Sequence, residues 1–267
     1  MNFRPLTYVL QRLIGKKIIT AVSQEFDLKF RFKAADGVGR HIYKKDVYEE
    51  TTTRCILKEV QFSQGDVVLD IGANIGWYSL LAAKYGAQVY AFEPDPLNFK
   101  LLNENIEMNA LAEQVVAYQC AVSDQEAVLP LYLYPDKNRG RHSLHAMEGC
   151  EKIDVRAVRL DDFLNEQGFG TQKVKFIKMD IEGHEFPALL GSPKLLETVP
   201  YLLIEHAPDH MKRGGYTADQ VLNLLKTYHY VPHQITQDGS VAISYSQLSK
   251  DKNEQNILWK KTAVKDI

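Results

Sequence analysis

The stretch VVLDIGANIGWYS, residues Val67 to Ser79, joins an unbroken apolar run, one aspartate and two glycines that flank a turn. The apolar run suits a strand that is buried on both faces of a parallel sheet, and the residues from Trp77 onward suit a short helix. Gly72 and Gly76 have no Cβ to block a close approach of the backbone, and the amides of a helix N-terminus attract electron-rich groups. The stretch therefore predicts a strand, a loop that binds a nucleotide-like ligand, and a helix.

The motif AFEPD, Ala91 to Asp95, ends a second apolar strand on Glu93. In nucleotide-binding α/β folds, an acidic residue about 20 positions after the glycine loop accepts hydrogen bonds from the ribose hydroxyls. The loop itself lacks the G-x-G-x-x-G pattern of dinucleotide sites. Asp70 would repel a diphosphate, whereas it could attract the ammonium of a methionine moiety. Together these features favour S-adenosylmethionine over a nicotinamide dinucleotide.

Three longer blocks resemble the FkbM family of class I S-adenosylmethionine-dependent methyltransferases. They are GDVVLDIGANIGWYSLLAA from Gly65, VYAFEPDPLNFKLLNENIEMN from Val89 and VKFIKMDIEGHEFPALLG from Val174. YLLIEH from Tyr201 and YEE from Tyr48 give weaker support. The general class I pattern has glycine where this sequence has Asn74. Asparagine also accepts a left-handed backbone, so the difference does not weaken the resemblance.

The resemblance places the cofactor at the ends of the first three strands of the sheet. Asp95 precedes a proline and also suits the N-cap of the next helix. Asp124 follows the predicted strand Gln114 to Val122, where it could contact adenine or simply form a turn. The predicted cofactor-binding residues are Asp70, Gly72, Asn74, Gly76, Glu93, Asp95, Val122 and Asp124.

Two parts are predicted along the chain. Residues 1–60 should form an N-terminal helix and a small β-rich cap, with alternating patterns around Phe26 to Phe32 and His41 to Tyr43. Residues 61–267 should form the methyltransferase domain, and residues 125–169 interrupt it as an insertion on the substrate side. No linker rich in proline, glycine or serine separates the parts, so the cap is an appendage.

The apolar runs of the second part predict a seven-stranded, mostly parallel sheet with helices on both faces. Lys173 to Met179 and Leu202 to Ile204 are its fourth and fifth strands. Val231 to Thr236, Val241 to Tyr245 and Asn256 to Lys260 complete it, the last two as an antiparallel hairpin at the edge. The predicted fold class is therefore α/β, in the Rossmann-like class I methyltransferase arrangement.

Charge and cysteine content restrict the partners. The formal net charge is −2, and no run of lysines or arginines is long enough for a nucleic-acid groove, so RNA and DNA substrates are not expected. Cys55, Cys120 and Cys150 are odd in number and widely spaced, which fits neither a disulfide framework nor a four-ligand zinc site. A reducing cytoplasm is the simplest compartment.

The N-terminal segment MNFRPLTYVLQRLIGKK predicts a basic amphipathic helix that is too short and too charged to span a bilayer. It can pack on the domain or on a partner subunit, or it can rest on the inner face of a membrane as a peripheral contact. Packing is the simpler interpretation, because one such helix is a weak signal. The apolar positions of its face are Leu6, Val9, Leu10, Leu13 and Ile14.

The polar segment DKNRGRHSLHAMEGC in the insertion predicts substrate contacts. In the resembling family this region lies on the substrate side, and basic and hydroxyl groups suit a sugar or an acidic glycan. A solvated loop is the alternative for any single residue in it. The predicted substrate-binding residues are Arg139, Arg141, His142 and Ser143.

Acid and imidazole pairs follow the fourth and fifth strands, where open α/β sheets place their chemistry. Asp180 ends the fourth strand, and the fifth ends in Glu205 and His206. Acidic residues after Asp180 could instead stabilise the N-terminus of the following helix. A divalent metal is conceivable among these acids, but no spacing demands one. The predicted catalytic residues are Asp180, Glu182, His184, Glu205 and His206.

These features predict an S-adenosylmethionine-dependent O-methyltransferase that acts on a hydroxyl of a small molecule or of a sugar in a glycan or glycolipid. His184 would serve as general base, with Asp180 orienting it or taking the proton itself. One alternative is an NAD(P)-dependent oxidoreductase, which the missing glycine pattern disfavours. Another is a non-catalytic cofactor-binding subunit, which would be expected to lose the acids at the strand ends. The acceptor and the oligomeric state are not encoded in any motif.

Overall fold

Eight strands form one mixed sheet at the centre of the computed structural model, which describes residues 4–134, 142–146, 148–168 and 174–262. The helices are α1 (Arg4–Leu13), α2 (Gly37–Lys45), α3 (Glu50–Val60), α4 (Trp77–Lys84), α5 (Pro96–Met108), α6 (Leu160–Glu166), α7 (Glu185–Leu190), α8 (Pro193–Thr198), α9 (Pro208–Arg213), α10 (Ala218–Thr227) and α11 (Tyr245–Lys250). The strands are β1 (Ile18–Ser23), β2 (Leu28–Lys33), β3 (Val67–Ile71), β4 (Gln88–Phe92), β5 (Val115–Tyr118), β6 (Ala121–Ser123), β7 (Ala127–Leu133), β8 (Glu151–Arg159), β9 (Val174–Met179), β10 (Tyr201–His206), β11 (Tyr230–Thr236), β12 (Gly239–Ala242) and β13 (Gln255–Lys261).

The order of the central sheet is β12-β11-β13-β10-β9-β3-β4-β5. Strands β10, β9, β3, β4 and β5 are parallel, while β13, β11 and β12 join them by antiparallel pairing. The α/β class is confirmed, but the sheet has eight strands instead of seven. The edge hairpin is β11 with β12, because β13 inserts between β10 and β11. Tyr245 begins a helix where the sequence pattern predicted a strand.

The first strand of the predicted domain lies in the middle of this sheet. Leu69 and Ile71 of β3 are buried, and α4 is buried along almost its whole length. Since β4 and β9 flank β3, both its edges and both its faces are covered. The carboxyl ends of β3, β4 and β9 consequently meet at one edge of the sheet.

The cap contains a two-stranded antiparallel sheet, β1 with β2, and the helices α1 to α3. It is less β-rich than predicted, because His41 and Tyr43 lie in α2. Asp36 caps that helix by accepting a hydrogen bond from the Gly39 amide at 2.6 Å. Phe30 of β2 packs on Trp77 of α4, and the cap shares a hydrophobic core with the central sheet.

The third predicted strand is divided in two. β5 completes the central sheet, whereas β6 turns away into a three-stranded sheet of order β6-β8-β7. β7 and β8 come from the predicted insertion and pair antiparallel. This small sheet borders the carboxyl edge of the central one. Among the described helices, none has the length and hydropathy that a membrane span requires.

Candidate active site

A cavity of about 330 Å³ lies at the carboxyl ends of β3, β4, β9 and β10. The cap and the insertion contribute residues to its other sides. Its polar lining comes from the predicted cofactor loop, the acids at the strand ends and the cap. The lining includes Tyr48, Glu49, Gly72, Asn74, Trp77, Tyr78, Glu93, Val122, His142, Lys178, Asp180, Glu182, Glu205 and Glu254.

Glu93 fixes the cofactor loop to the end of β4. Its two carboxylate oxygens accept hydrogen bonds from the Asn74 amide at 2.7 Å and from the Asp95 amide at 2.9 Å. Each oxygen keeps a second lone pair with which it can accept a ribose hydroxyl. Burial raises the pKa of Glu93 to about 7, and the neighbouring Asp95 charge adds to this, while Lys178 opposes it.

Asn74 adopts the left-handed backbone that its sequence position predicted, with φ of 53°. This conformation turns its amide toward Glu93. Its side-chain oxygen is buried and makes no hydrogen bond to any described residue. Because an unpaired buried polar atom is costly, a polar group of the cofactor is a suitable partner for it. Asn74 and Glu93 together thus fit the polar part of S-adenosylmethionine.

The two glycines of the loop allow close approach of other protein segments, whereas the sequence indicated close approach of a ligand. A Cβ at Gly72, whose φ is +77°, would lie 2.1 Å from the Asp180 carbonyl oxygen. A Cβ at Gly76 would lie 2.6 Å from a methyl group of Leu102. Gly72 lines the cavity and Gly76 does not, because Gly76 caps α4 against α5. The close approach is therefore between segments of the protein itself.

Asp70 is buried beneath the cavity and does not line it. One carboxylate oxygen accepts a hydrogen bond from Ser79 at 2.5 Å, and the other lies 3.8 Å from Lys178 Nζ. Burial raises the pKa of Asp70, and Lys178 opposes this shift. Lys178 also donates to the Gly72 carbonyl at 2.9 Å. Asp70 therefore acts on the loop through Lys178, not as a direct ligand of the cofactor.

Two further residues predicted to contact the cofactor lie outside the cavity. Asp95 is the N-cap of α5 and accepts hydrogen bonds from the amides of Leu97 and Asn98 at 3.1 and 2.7 Å. Asp124 is exposed beyond β6, and one of its oxygens accepts from the hydroxyl of Ser123. Of the residues predicted at the end of the third strand, only Val122 lines the cavity.

The opposite wall of the cavity is acidic. Asp180 follows β9 and its carboxylate lies 3.6 Å from Lys178 Nζ. Glu182 follows in a left-handed conformation, with φ of 55°, and lies 3.0 Å from Nδ1 of His210. Glu205 of β10 faces the same imidazole at 3.8 Å. Burial and the charges of Asp180 and Glu182 raise the pKa of Glu205.

His184 and His206 do not reach the cavity, which contradicts their predicted catalytic roles. Nε2 of His184 lies 3.0 Å from the Ser123 hydroxyl and its Nδ1 faces His145 at 3.4 Å. Burial lowers the pKa of His184 to about 4. His206 contacts the Asp251 carbonyl at 3.1 Å on the far side of β10. Both imidazoles therefore contact other groups of the protein instead of the cavity.

The insertion reaches the cavity through His142 and the residues that follow it. His142 lines the cavity, and its Nδ1 accepts from the Tyr134 amide at 2.9 Å. Ser143 does not line it, because its hydroxyl donates to the Glu182 carbonyl at 2.9 Å. Nε2 of His145 lies 2.6 Å from the Gly183 carbonyl. These two contacts hold the insertion against the acidic loop. Arg139 and Arg141 lie outside the described residues.

The sequence interpretation missed the contribution of the cap and of Lys178. Tyr78 donates a hydrogen bond of 2.6 Å to Glu49, whose carboxylate lines the cavity beside Tyr48. Burial raises the pKa of Glu49. The YEE motif, which contains Glu49, could have indicated that the cap contributes to the site. Lys178 inside the apolar strand VKFIKM could have indicated a buried ion pair. Nothing in the sequence around His210 marked it.

Residues 70–232 match the methyltransferase FkbM domain. The 31-O-demethyl-FK506 methyltransferase FkbM of Streptomyces tacrolimicus is 32% identical over 58% of this chain and 69% of its own length. The methyltransferase sdnD of Sordaria araneosa is 29% identical over 54% of this chain and 67% of its own length. The hexuronic acid methyltransferase AglP of Haloferax volcanii is 28% identical over 59% of this chain and 62% of its own length.

Among solved structures, the methyltransferase FkbM of Methylobacillus flagellatus aligns with a TM-score of 0.48 at 20% identity, over 74% of this chain and 44% of that one. The domain match covers the end of β3 and all of β4, β9 and β10, the strands that carry the cofactor loop and the acidic wall. The prediction of S-adenosylmethionine as cofactor is thereby confirmed. The chain belongs to the FkbM methyltransferase family and is an S-adenosylmethionine-dependent methyltransferase.

Proposed function

We propose that the protein transfers the methyl group to a hydroxyl oxygen, with Asp180 as the base that takes the hydroxyl proton. The observation that carries this proposal is the position of Asp180 between the two walls of the cavity. Its backbone contacts Gly72 of the cofactor loop, and its side chain borders the acidic wall. An acceptor bound at the acids would therefore lie next to the cofactor.

Different residues of the cavity would bind the cofactor and orient the base. S-adenosylmethionine supplies an electrophilic methyl group, and Gly72, Asn74 and Glu93 would hold it. Lys178, 3.6 Å from the Asp180 carboxylate, fixes the direction of the base. The cavity would hold acceptor oxygen and methyl carbon in line, and such positioning is a large part of the acceleration in this kind of displacement. Proton removal by a positioned base typically contributes about 10²- to 10⁴-fold.

A small molecule or a sugar is the proposed acceptor class. One relative is named for a hexuronic acid and another for a demethylated FK506, and both suit acceptors that offer hydroxyls. The acids Asp180, Glu182 and Glu205 favour hydroxyl donors over anionic groups in direct contact. The proposed acceptor therefore presents hydroxyls to this wall.

The test is methyl transfer from labelled S-adenosylmethionine to fractionated host extracts and to a panel of polyols and sugars, with the methylated atom identified by NMR. Asp180→Asn should lower turnover by at least about 10²-fold while the affinity for S-adenosylhomocysteine changes little. Asp124→Asn is the matched control, since this carboxylate is exposed outside the cavity. Methylation at nitrogen or carbon, or full turnover of Asp180→Asn, would refute the proposal.

We also propose that α1 rests on an anionic membrane surface. Tyr8 is buried against the cap, but Val9, Leu10, Leu13 and Ile14 are all about half or more exposed. Arg12 and Lys16 lie beside them in the sequence. An apolar patch bordered by cations fits anionic lipid headgroups over a shallow apolar layer, which favours this contact over packing on another protein.

A further inference from the structure

Three metal-ligating side chains converge at the acceptor end of the cavity. Glu182, Glu205 and His210 each offer one ligand atom, and these atoms lie within 4.8 Å of one another. They come from three different segments, namely the loop after β9, the strand β10 and the helix α9. Two of the three also line the cavity, so an ion held there would face the acceptor.

Glu205 contributes a buried polar atom without a hydrogen bond to this cluster. The side chain of His210 is only 8% exposed. The Oε2 atom of Glu205 makes no hydrogen bond to the described residues. Glu182 Oε2 approaches Nδ1 of His210 to 3.0 Å as an ion-pair contact. Buried polar atoms without hydrogen bonds are rare in native proteins and indicate a group that the protein alone does not provide.

The backbone is arranged to bring Glu182 into this cluster. Glu182 and Gly183 both have positive φ, 55° and 96°. The carboxylate of Glu185 accepts the amides of Ile181 and Gly183 at 3.0 and 3.3 Å and so holds the turn. A Cβ at Gly183 would lie 2.6 Å from the His210 carbonyl, which keeps the loop and α9 in contact. A non-glycine residue in this conformation persists where the surroundings impose it, often at functional sites.

We propose that Glu182, Glu205 and His210 bind a divalent cation that leaves coordination positions open for the hydroxyl oxygens of the acceptor. This inference rests on the proposed transfer to oxygen and adds how the acceptor is bound. Two carboxylates with one imidazole suit Mn²⁺, since carboxylate, carbonyl and water ligands favour Mg²⁺, Ca²⁺ and Mn²⁺ and imidazole accepts a transition metal. Adjacent hydroxyls of a sugar or polyol are the chemical class that such a cation chelates.

The cation changes the electrostatics of the acidic wall. Asp180, Glu182, Glu205 and Glu254 all line the cavity, and a dication offsets two of these negative charges. It also lowers the pKa of a hydroxyl that it contacts. That hydroxyl gives its proton to Asp180, its oxygen bonds to the methyl carbon, and the carbon–sulfur bond breaks with the electron pair left on sulfur. S-adenosylhomocysteine and the methyl ether are the products.

Direct binding of Mn²⁺ tests the site without any methyl transfer. Electron paramagnetic resonance of chelator-treated protein titrated with Mn²⁺ should reveal one bound ion per chain. Glu205→Gln and His210→Gln should each weaken binding by at least about tenfold, because each replaces a carboxylate or imidazole ligand by a weaker amide oxygen. Glu93→Gln is the matched control, since it alters a carboxylate in the cofactor half of the same cavity and should leave Mn²⁺ affinity unchanged.

The affinity of Glu205→Gln and His210→Gln for S-adenosylhomocysteine verifies that their cavity is folded, and the melting temperature verifies the fold of Glu93→Gln, whose cofactor affinity changes. The absence of Mn²⁺ binding, or binding that survives both Glu205→Gln and His210→Gln in folded protein, would overturn the site and leave an ion pair of His210 with the acids. If Mn²⁺ does not bind while hydroxyls are methylated, the cation inference alone fails. If Mn²⁺ binds as expected while the methylated atom is not oxygen, the proposed function alone fails.

Discussion

Replacing Lys178 by methionine should destabilise the fold far more than replacing a more exposed lysine of the same strand. Lys178 Nζ lies 3.8 Å from Asp70 Oδ1, and the two side chains are 6% and 1% exposed. Coulomb's law with an effective dielectric constant of about 20 gives about 4 kcal/mol for a pair at this distance. Removing one partner of a buried pair typically costs about 3–5 kcal/mol, because the other charge stays buried and uncompensated. We therefore expect Lys178→Met to lower the free energy of unfolding by about 4 kcal/mol.

The assay is urea denaturation followed by the fluorescence of the two buried tryptophans, Trp77 and Trp259. Lys175→Met is the matched control: Lys175 pairs with Asp66 at 2.8 Å, but their side chains are 25% and 19% exposed. Its loss should cost about 1 kcal/mol or less. In the double variant Lys178→Met with Asp70→Asn, part of the lost stability should return, since no buried carboxylate is left unpaired.

The pH dependence gives a second check of the same reasoning. Burial already raises the pKa of Asp70, and removal of the lysine raises it further, so folded Lys178→Met binds a proton that the unfolded chain releases. Its stability deficit should therefore shrink as the pH falls toward the ordinary carboxyl range. A deficit of less than about 1 kcal/mol, or a double variant no more stable than Lys178→Met, would refute the buried pair as a stabilising contact.

Three further expectations concern the cofactor and the N-terminal helix. Glu93→Ala should weaken S-adenosylhomocysteine binding by about 1.5–3 kcal/mol in calorimetry. In the wild type, the affinity should fall about tenfold from about pH 8 to about pH 6, because ribose hydroxyls favour the ionised Glu93 carboxylate, whose pKa is about 7. Glu93→Gln should remove this pH dependence. Gly72→Ala should reduce that affinity more than Gly76→Ala, because its Cβ meets backbone instead of a methyl group that can move. Leu10→Glu with Leu13→Glu should release the protein from anionic liposomes in a sedimentation assay without lowering the melting temperature, and no sedimentation of the wild type would contradict the membrane proposal.

Local patterns predicted the strand and the loop on the cofactor side, although Asp70, Gly76, Asp95 and Asp124 do not line the cavity. The apolar run before Asp70 and the glycine turn specify the strand and the loop through periodicity and backbone freedom, both of which act over a few residues. Asn74 accepts the left-handed backbone for the same local reason. Glu93 follows from its position at the end of β4, where its carboxylate reaches the loop of the neighbouring strand.

The acceptor side depends on side-chain directions that the sequence does not encode. Asp180, Glu182 and His184 follow the same strand, yet the positive φ values at Glu182 and Gly183 turn the first two toward the cavity and the third toward Ser123. His210 joins them only because α9 packs on this loop. The position of β13 between β10 and β11 likewise results from pairing between strands that are distant in the chain.

Lys178 makes the two halves of the cavity mechanically dependent on each other. Its ammonium donates to the Gly72 carbonyl of the cofactor loop and also lies beside the Asp180 carboxylate. A change at Lys178 or Gly72 must therefore alter cofactor affinity and turnover together, and such variants cannot assign a residue to either function. Glu93 and Glu205 share no direct partner in the described structure, since one binds the amides of the loop and the other faces His210. Substitutions at these two carboxylates are consequently the ones that separate cofactor binding from acceptor chemistry.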